Sequence, residues 1–219
     1  MNLISYRPYR ELCEEWPQRG QHILATYDDN SIIVYQAYRP AIARYAVENQ
    51  RFGGEFSWSR MSWIKPNFLW MMYRSGWASK EGQEHVLAIT IKRSFFDEVL
   101  QQAVASTFGS SGFSSHEEWQ QALAASDVRL QWDPDHGPKG NCLERRAIQL
   151  GLRGEILSRF GRDEISRIED ITPFVKEQAV QPHESLLVPF EQVYHPASVA
   201  ASQNIGLETR LENNQPASV

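Results

Sequence analysis

The sequence predicts a single α+β domain whose sheet is mixed or mainly antiparallel, with helices packed on it. Three observations predict it. Strand and helix signals alternate three times and then give way to several strands. Hydrophobic residues make up 42% of the 219-residue chain, enough to close a core. No long linker divides the chain, so one domain over residues 20–195 is expected, between an N-terminal arm (1–19) and a mobile C-terminal tail (196–219).

The elements follow in order. Residues 1–20 are polar and carry Pro8 and Pro17, which suits an extended lead-in. SIIVYQAY (31–38) is β-branched and aromatic behind the turn signal Asp28-Asp29-Asn30, and predicts a strand. Pro40 opens a helix that runs to about Asn49, ahead of Gly53-Gly54. FSWSRMSWIK (56–65) alternates, which predicts a strand with Phe56, Trp58, Arg60, Ser62 and Ile64 on one face. Pro66 starts the helix PNFLWMMYRSGW, closed by Gly76. That helix has almost no polar face, so it is expected to be buried, and Trp70→Ala to cost about 3–5 kcal/mol.

HVLAITIK (85–92) predicts a strand, and Ser94 a cap for a helix over 95–105. STFGSSGFSS (106–115) is a small-residue loop whose Ser115 caps a helix over 116–125. Residues 128–132 predict a short strand, stopped by the DPDHGP turn, and RRAIQLGL (145–152) another. Residues 157–160 and 165–175 read as partly helical. LLVPFEQVY (186–194) predicts a last strand, broken at Pro189 and therefore at an edge. From Pro196 the composition turns to Ala, Ser, Gln and Asn, the expected tail.

The net charge of −5 conceals a contrast. Between Arg39 and Arg93 there are nine basic and four acidic residues, a local +5 that leaves −10 elsewhere. Eleven of the 25 aromatic residues lie between Tyr35 and Trp77. A basic field interleaved with rings suits a phosphate-bearing small molecule or a nucleic acid; an aromatic core beneath a solvated basic face is the plainer account. No 18-residue apolar run is present, so no membrane partner is expected. The first residues lack an apolar segment before a cleavage site, and Cys13 and Cys142 form no CxxC, so a reducing cytoplasm is expected. No P-loop, GxGxxG, HExxH, GxSxG or EF-hand pattern occurs, which removes most of the support for the mechanisms those motifs carry.

The candidate site gathers what remains. Tyr35, Gln36 and Tyr38 end the first strand and offer stacking and amide contacts, although Tyr35 and Tyr38 straddle the sheet and one of them should be core. Arg60 and Lys65, with free amides after Pro66, offer anion binding. Arg74 is a further cation or a plain helix C-cap. Asp133, fixed by Pro134, offers a carboxylate. Asp133, Asp135 and His136 have metal-ligand chemistry, but a proline-fixed turn is the favoured account and no metal is expected. These groups are expected to converge on one concave site.

VYQAYRPAIA, RMSWIKPNFLWMMYRSGW, VLAITIKR, VRLQWDPDHGP and RRAIQLGLRGE occur in this order. In these blocks the chain resembles a family called domain of unknown function 4291, over about residues 26–172. The resemblance implies no activity. It marks Tyr35, Gln36, Tyr38, Arg60, Ser62, Lys65, Arg74, Trp132, Asp133, Arg146 and Gln149 as recurring polar and aromatic positions. The order of elements is also similar to the ADP-ribosyltransferase fold, with HESLLVPFEQVY in the place of its glutamate segment. The first strand carries Tyr35-Gln36 where that fold has His or Arg, and the second block has no Ser-Thr-Ser. This second resemblance implies a bound NAD with its nicotinamide stacked on an aromatic ring. It also implies a carboxylate, Glu184 or Glu144, that binds a ribose hydroxyl and stabilises an oxocarbenium-like state. Glu184 and Asp133 are thus the candidate catalytic residues of a nucleotide- or nucleic-acid-directed enzyme. A non-catalytic nucleic-acid-binding module using the 39–93 face is the alternative.

Overall fold

In the computed structural model, which describes residues 3–207, the N-terminal segment is folded rather than extended. Tyr6–Pro8 (β1), Tyr9–Glu15 (α1), Gly20–Gln21 (β2) and Leu24–Ala25 (β3) precede the first long strand. Tyr9, Leu12 and Trp16 are buried, so the polar composition of the supposed arm belongs to its outer face alone. Ser31–Tyr38 (β4) and Pro40–Asn49 (α2) form over the residues predicted.

Of the alternating 56–65 segment only Ser62–Ile64 (β5) is a strand. Phe56 instead stacks on Phe52 at 4.6 Å and meets Trp58 edge-on at 4.8 Å. The alternation there reflects aromatic packing of a turn, with no strand beside it to pair. Phe68–Ser75 (α3) is capped by Asn67, whose side chain accepts from the Trp70 amide, and ends at Gly76 with φ 58°. That left-handed conformation suits a residue without a Cβ.

His85–Lys92 (β6) leads into Arg93–Gln102 (α4), which has no side-chain cap, so Ser94 does not play the expected part. Val104–Ala105 (β7) is extended rather than helical. His116–Ala125 (α5) is capped by Ser115 as predicted. Val128–His136 (β8) takes in the first four residues of the supposed DPDHGP turn, with a register shift after Pro134, and pairs with Cys142–Leu152 (β9). Pro134 is tolerated because β7 covers β8 only near Arg129 and Leu130, leaving the proline on an open edge. The chain reverses instead at Gly137–Gly140, where the Gly137 amide donates to the Asn141 carbonyl.

Gly154–Arg162 (α6) is followed by Ile165–Asp170 (β10), a strand where helix was expected: the free edge of β6 supplies a partner that local composition does not reveal. Thr172–Ala179 (α7) comes next. The last predicted strand is two, Leu187–Pro189 (β11) and Gln192–Val193 (β12), which pair with β1 and β3 respectively. Val199–Asn204 (α8) closes the described chain. The expected tail is corrected here for residues 196–207. Ala201, Ser202 and Ile205 are buried, and Asn204 donates to the Leu100 and Ala103 carbonyls at 2.9 Å. Small side chains let α8 lie close against α4. Residues 208–219 of the predicted tail lie outside the described residues.

The elements make one α+β domain. β10, β6 and β4 form an antiparallel sheet; β2, β9, β8 and β7 form a mixed one, with β5 also on β9. The middle of the β4–β6 pair is mostly apolar because both of its faces are covered there. Ile32, Val34, Leu87, Ile89 and Ile91 enter one core with α2, α4 and α6, while Ile33, Tyr35, Val86 and Ala88 enter a second with α1 and α3. The period of two along a strand sorts them.

Helix α3 is mostly buried as its composition predicts, with Trp70 6% exposed, but Tyr73 stands 45% exposed. Yet Trp70 also borders an open cleft, so water can fill the space left by its removal. Trp70→Ala should therefore cost about 3 kcal/mol, the low end for large-to-small core changes, as read by urea denaturation. A loss below about 1 kcal/mol would show that the ring carries little of the packing.

Candidate functional site

The two sheets meet at one backbone bridge. The Tyr35 amide donates to the Lys65 carbonyl at 2.7 Å, and the Lys65 amide to the Tyr35 carbonyl at 3.3 Å. Beside this seam lies an open cleft of about 930 Å³. Of the predicted site residues, Gln36, Tyr38, Arg60, Ser62, Lys65, Arg74, Asp133 and Gln149 all border it.

Its floor is a polar relay. Gln36 Nε2 donates to Ser62 Oγ at 2.7 Å and to the Trp63 carbonyl at 3.0 Å, and Ser62 Oγ meets the Tyr38 hydroxyl at 2.9 Å. Burial raises the Tyr38 hydroxyl above its ordinary proton affinity, with the Ser62 bond acting against it. Gln36 Oε1 and Trp70 Nε1 are buried and have no hydrogen-bond partner among the described residues. Lys65 is 4% exposed, and its ammonium lies 5.0 Å from the centre of the Trp70 ring. It makes no ion pair among the described residues. Burial, then the Arg74 charge, lower its pKa to about 7, with Asp133 opposing. Arg60 and Arg74 stand exposed at the rim.

Asp133 faces Lys65 from the second sheet. Its Oδ2 accepts from Gln149 Nε2 at 2.6 Å, and the same amide reaches Gln131 Oε1 at 2.7 Å. Burial raises the Asp133 carboxyl above its usual range, while that hydrogen bond and the Lys65 and Arg146 charges pull it down. Gln131 was missed from the sequence although it lies two residues before Asp133, on the same strand face.

Four predicted residues lie elsewhere. Tyr35 is fully buried, edge-on to Phe68 at 5.6 Å, because its odd place in the strand turns it away from Gln36. Trp132 and Arg146 border a second cavity of about 520 Å³, and the Trp132 indole donates to the Ile205 carbonyl at 3.0 Å. Glu184 sits exposed in a turn before β11 and borders neither cavity. Glu144, the other carboxylate considered for that part, is exposed on β9 and borders neither.

The anion site expected at the start of α3 is already filled. The Phe68 amide donates to Glu191 Oε1 at 2.6 Å, and Glu191 is 1% exposed. Burial pushes its carboxyl well up, against the pull of that hydrogen bond. The possible metal ligands separate as well: Asp135 turns inward to an ion pair with Arg145 at 2.6 Å, and His136 stacks on Tyr73 at 3.5 Å. Among the described residues no three His, Cys, Asp or Glu side chains gather to hold a metal ion. No helix among them is long and apolar enough to cross a membrane.

The basic segment does not form one face. β4 and β6 run antiparallel with Ser31 opposite Lys92 and Tyr38 opposite His85. Lys92 and Arg93 are thus at the far end of an eight-residue pair, roughly 23 Å from the cleft end. There Lys92 pairs with Glu164 at 3.0 Å, and Arg93 lies over the Tyr27 and Tyr194 rings. Arg39 pairs with Glu55 at 2.7 Å.

A family profile described as "Domain of unknown function (DUF4291)" matches residues 22–194. No curated protein matches the chain.

Proposed function

The chain belongs to the DUF4291 family, whose profile spans most of its length, and from that footing we propose that it is a nucleotide-directed enzyme working in the cleft at the sheet seam. Lys65 carries this reading. A cation withdrawn from water, with no carboxylate paired to it, is costly to keep unless an anionic ligand or a chemical step uses it. Arg60 and Arg74 at the rim suit phosphate oxygens. Trp63, Trp70 and Tyr73 offer ring surfaces along the wall. The unpartnered Gln36 Oε1 suits an N–H of a base or carboxamide.

Within this reading ADP-ribosyl transfer from NAD is the narrower form. It draws support from the cleft between two sheets and from the unpartnered amide acceptor. Its carboxylate would be Asp133 rather than Glu184. The dispersal of Lys92 and Arg93 away from the cleft weighs against a module that tracks nucleic acid along the whole 39–93 segment.

The test is thermal stabilisation by a nucleotide panel that includes NAD. At a ligand concentration of about 100 Kd, stabilisation of roughly 2.7 kcal/mol is expected. Arg60→Ala and Arg74→Ala should fold normally and lose most of it. Absence of stabilisation by any nucleotide overturns the reading. A salt-steep affinity for nucleic acid that survives both substitutions would favour the non-catalytic module.

A further inference from the structure

We propose that Lys65 captures an aldehyde-bearing ligand in the cleft as an imine. The inference rests on the reading of the cleft as a phosphate-ligand site, with Arg60 and Arg74 holding the phosphate.

Three features of Lys65 go beyond what anion binding needs. Its amine makes no ion pair among the described residues; Asp133 acts on it through charge alone, and more weakly than burial and Arg74 do. Its backbone amide and carbonyl are both held by the Tyr35 bridge, and its nitrogen lies over the Trp70 ring, 5.0 Å from the ring centre, at the cleft wall. Its neighbour in charge is another cation, Arg74, which with burial favours the neutral amine. Desolvation beside a second cation is a general route to a nucleophilic lysine. A lysine meant only to hold phosphate is better served by a nearby carboxylate that keeps it protonated.

The step balances without an oxidant or reductant. The unprotonated Nζ attacks the carbonyl carbon, a C–N bond forms, and the π pair moves to the oxygen, which takes up a proton. A second proton reaches that oxygen, water leaves, and nitrogen loses its remaining protons as the C=N bond forms. Amine and aldehyde thus give imine and water. Asp133 borders the same cleft, and its carboxyl is raised by burial, so it is the acid at hand for the departing hydroxyl.

The other lysines, Lys80, Lys92, Lys139 and Lys176, are all exposed, which makes the test selective. The full chain is treated with glyceraldehyde 3-phosphate or with glyceraldehyde, each in the presence of cyanoborohydride, and the reduced adducts are mapped by peptide mass. Lys65 should be modified at least about tenfold faster than any exposed lysine, with a rate that rises as pH passes about 7. The phosphorylated aldehyde should be the faster reagent, and Arg74→Ala should erase that advantage. Modification of Lys65 no faster than of the exposed lysines overturns the proposal. Selective modification by both aldehydes alike, without competition from inorganic phosphate, upholds the imine and overturns the phosphate reading.

Discussion

Arg145→Ala is expected to remove about 3–5 kcal/mol of folding stability, because it leaves a buried carboxylate without its cation. Asp135 is 1% and Arg145 4% exposed at the side chain. Arg145 Nε and Nη2 both reach Asp135 Oδ2, at 2.8 and 2.6 Å, and Nη1 donates to the Pro17 carbonyl at 2.6 Å. The guanidinium also covers the Trp16 ring at 5.5 Å. The substitution therefore strands Asp135, frees the part-buried Pro17 carbonyl and removes the guanidinium from the Trp16 ring. Urea denaturation at neutral pH reads the loss. Adding Asp135→Asn to Arg145→Met should restore a large part of it, since two neutral partners leave no stranded charge. A single-variant loss below about 1 kcal/mol would show that the pair is solvated in solution.

Lys65→Met should act in the opposite direction, with a pH signature. The folded state holds the Lys65 proton less tightly than the unfolded chain does, at about 7 against the ordinary 10.5. Below pH 7 the amine is charged in both states, and the folded state carries the whole penalty of burying it. Between about 7 and 10.5 the unfolded chain binds more protons, so wild-type stability from this group rises with pH, and above that range the penalty is gone. By linkage the penalty has a ceiling of about 5 kcal/mol. Lys65→Met, which keeps the stem and drops the charge, should therefore be more stable than wild type by a few kcal/mol at pH 6. The gain should shrink steadily toward pH 10. Denaturation curves for both proteins at pH 6, 8 and 10 check this; a pH-independent difference would show that the amine is hydrated. The same variant should lose the ligand response, so stability and function trade against each other at this residue.

What the sequence revealed depended on how local the cause was. β4 and β6 were legible because both their faces are buried, which leaves an apolar run that no other local structure explains. α2 and α5 were legible from their first turns, a proline in one and the Ser115 cap in the other. β10 was not, because four of the six residues of ISRIED are polar and the segment becomes a strand only against the open edge of β6. Within the site, Gln36, Ser62, Lys65, Asp133 and Gln149 came together because their neighbours in sequence already marked the ends of paired strands. Parity along the strand separates Tyr35 from Gln36. Glu191 escaped notice because it fills the start of α3 from 123 residues away, and nothing in VPFEQVY announces an inward carboxylate.

The Tyr35–Lys65 bridge also acts as a register lock. Side chains alternate across a strand, so a slip of one residue at this bridge would swing the amine from the cleft toward the core that holds Tyr35 and Phe68. There a charged lysine would find only apolar neighbours and Tyr35 would lose its place, so the slipped pairing is penalised twice. By this parity the buried amine would disfavour the wrong alignment of the two sheets. The residue that joins the two sheets is thus also the one whose side chain registers their alignment.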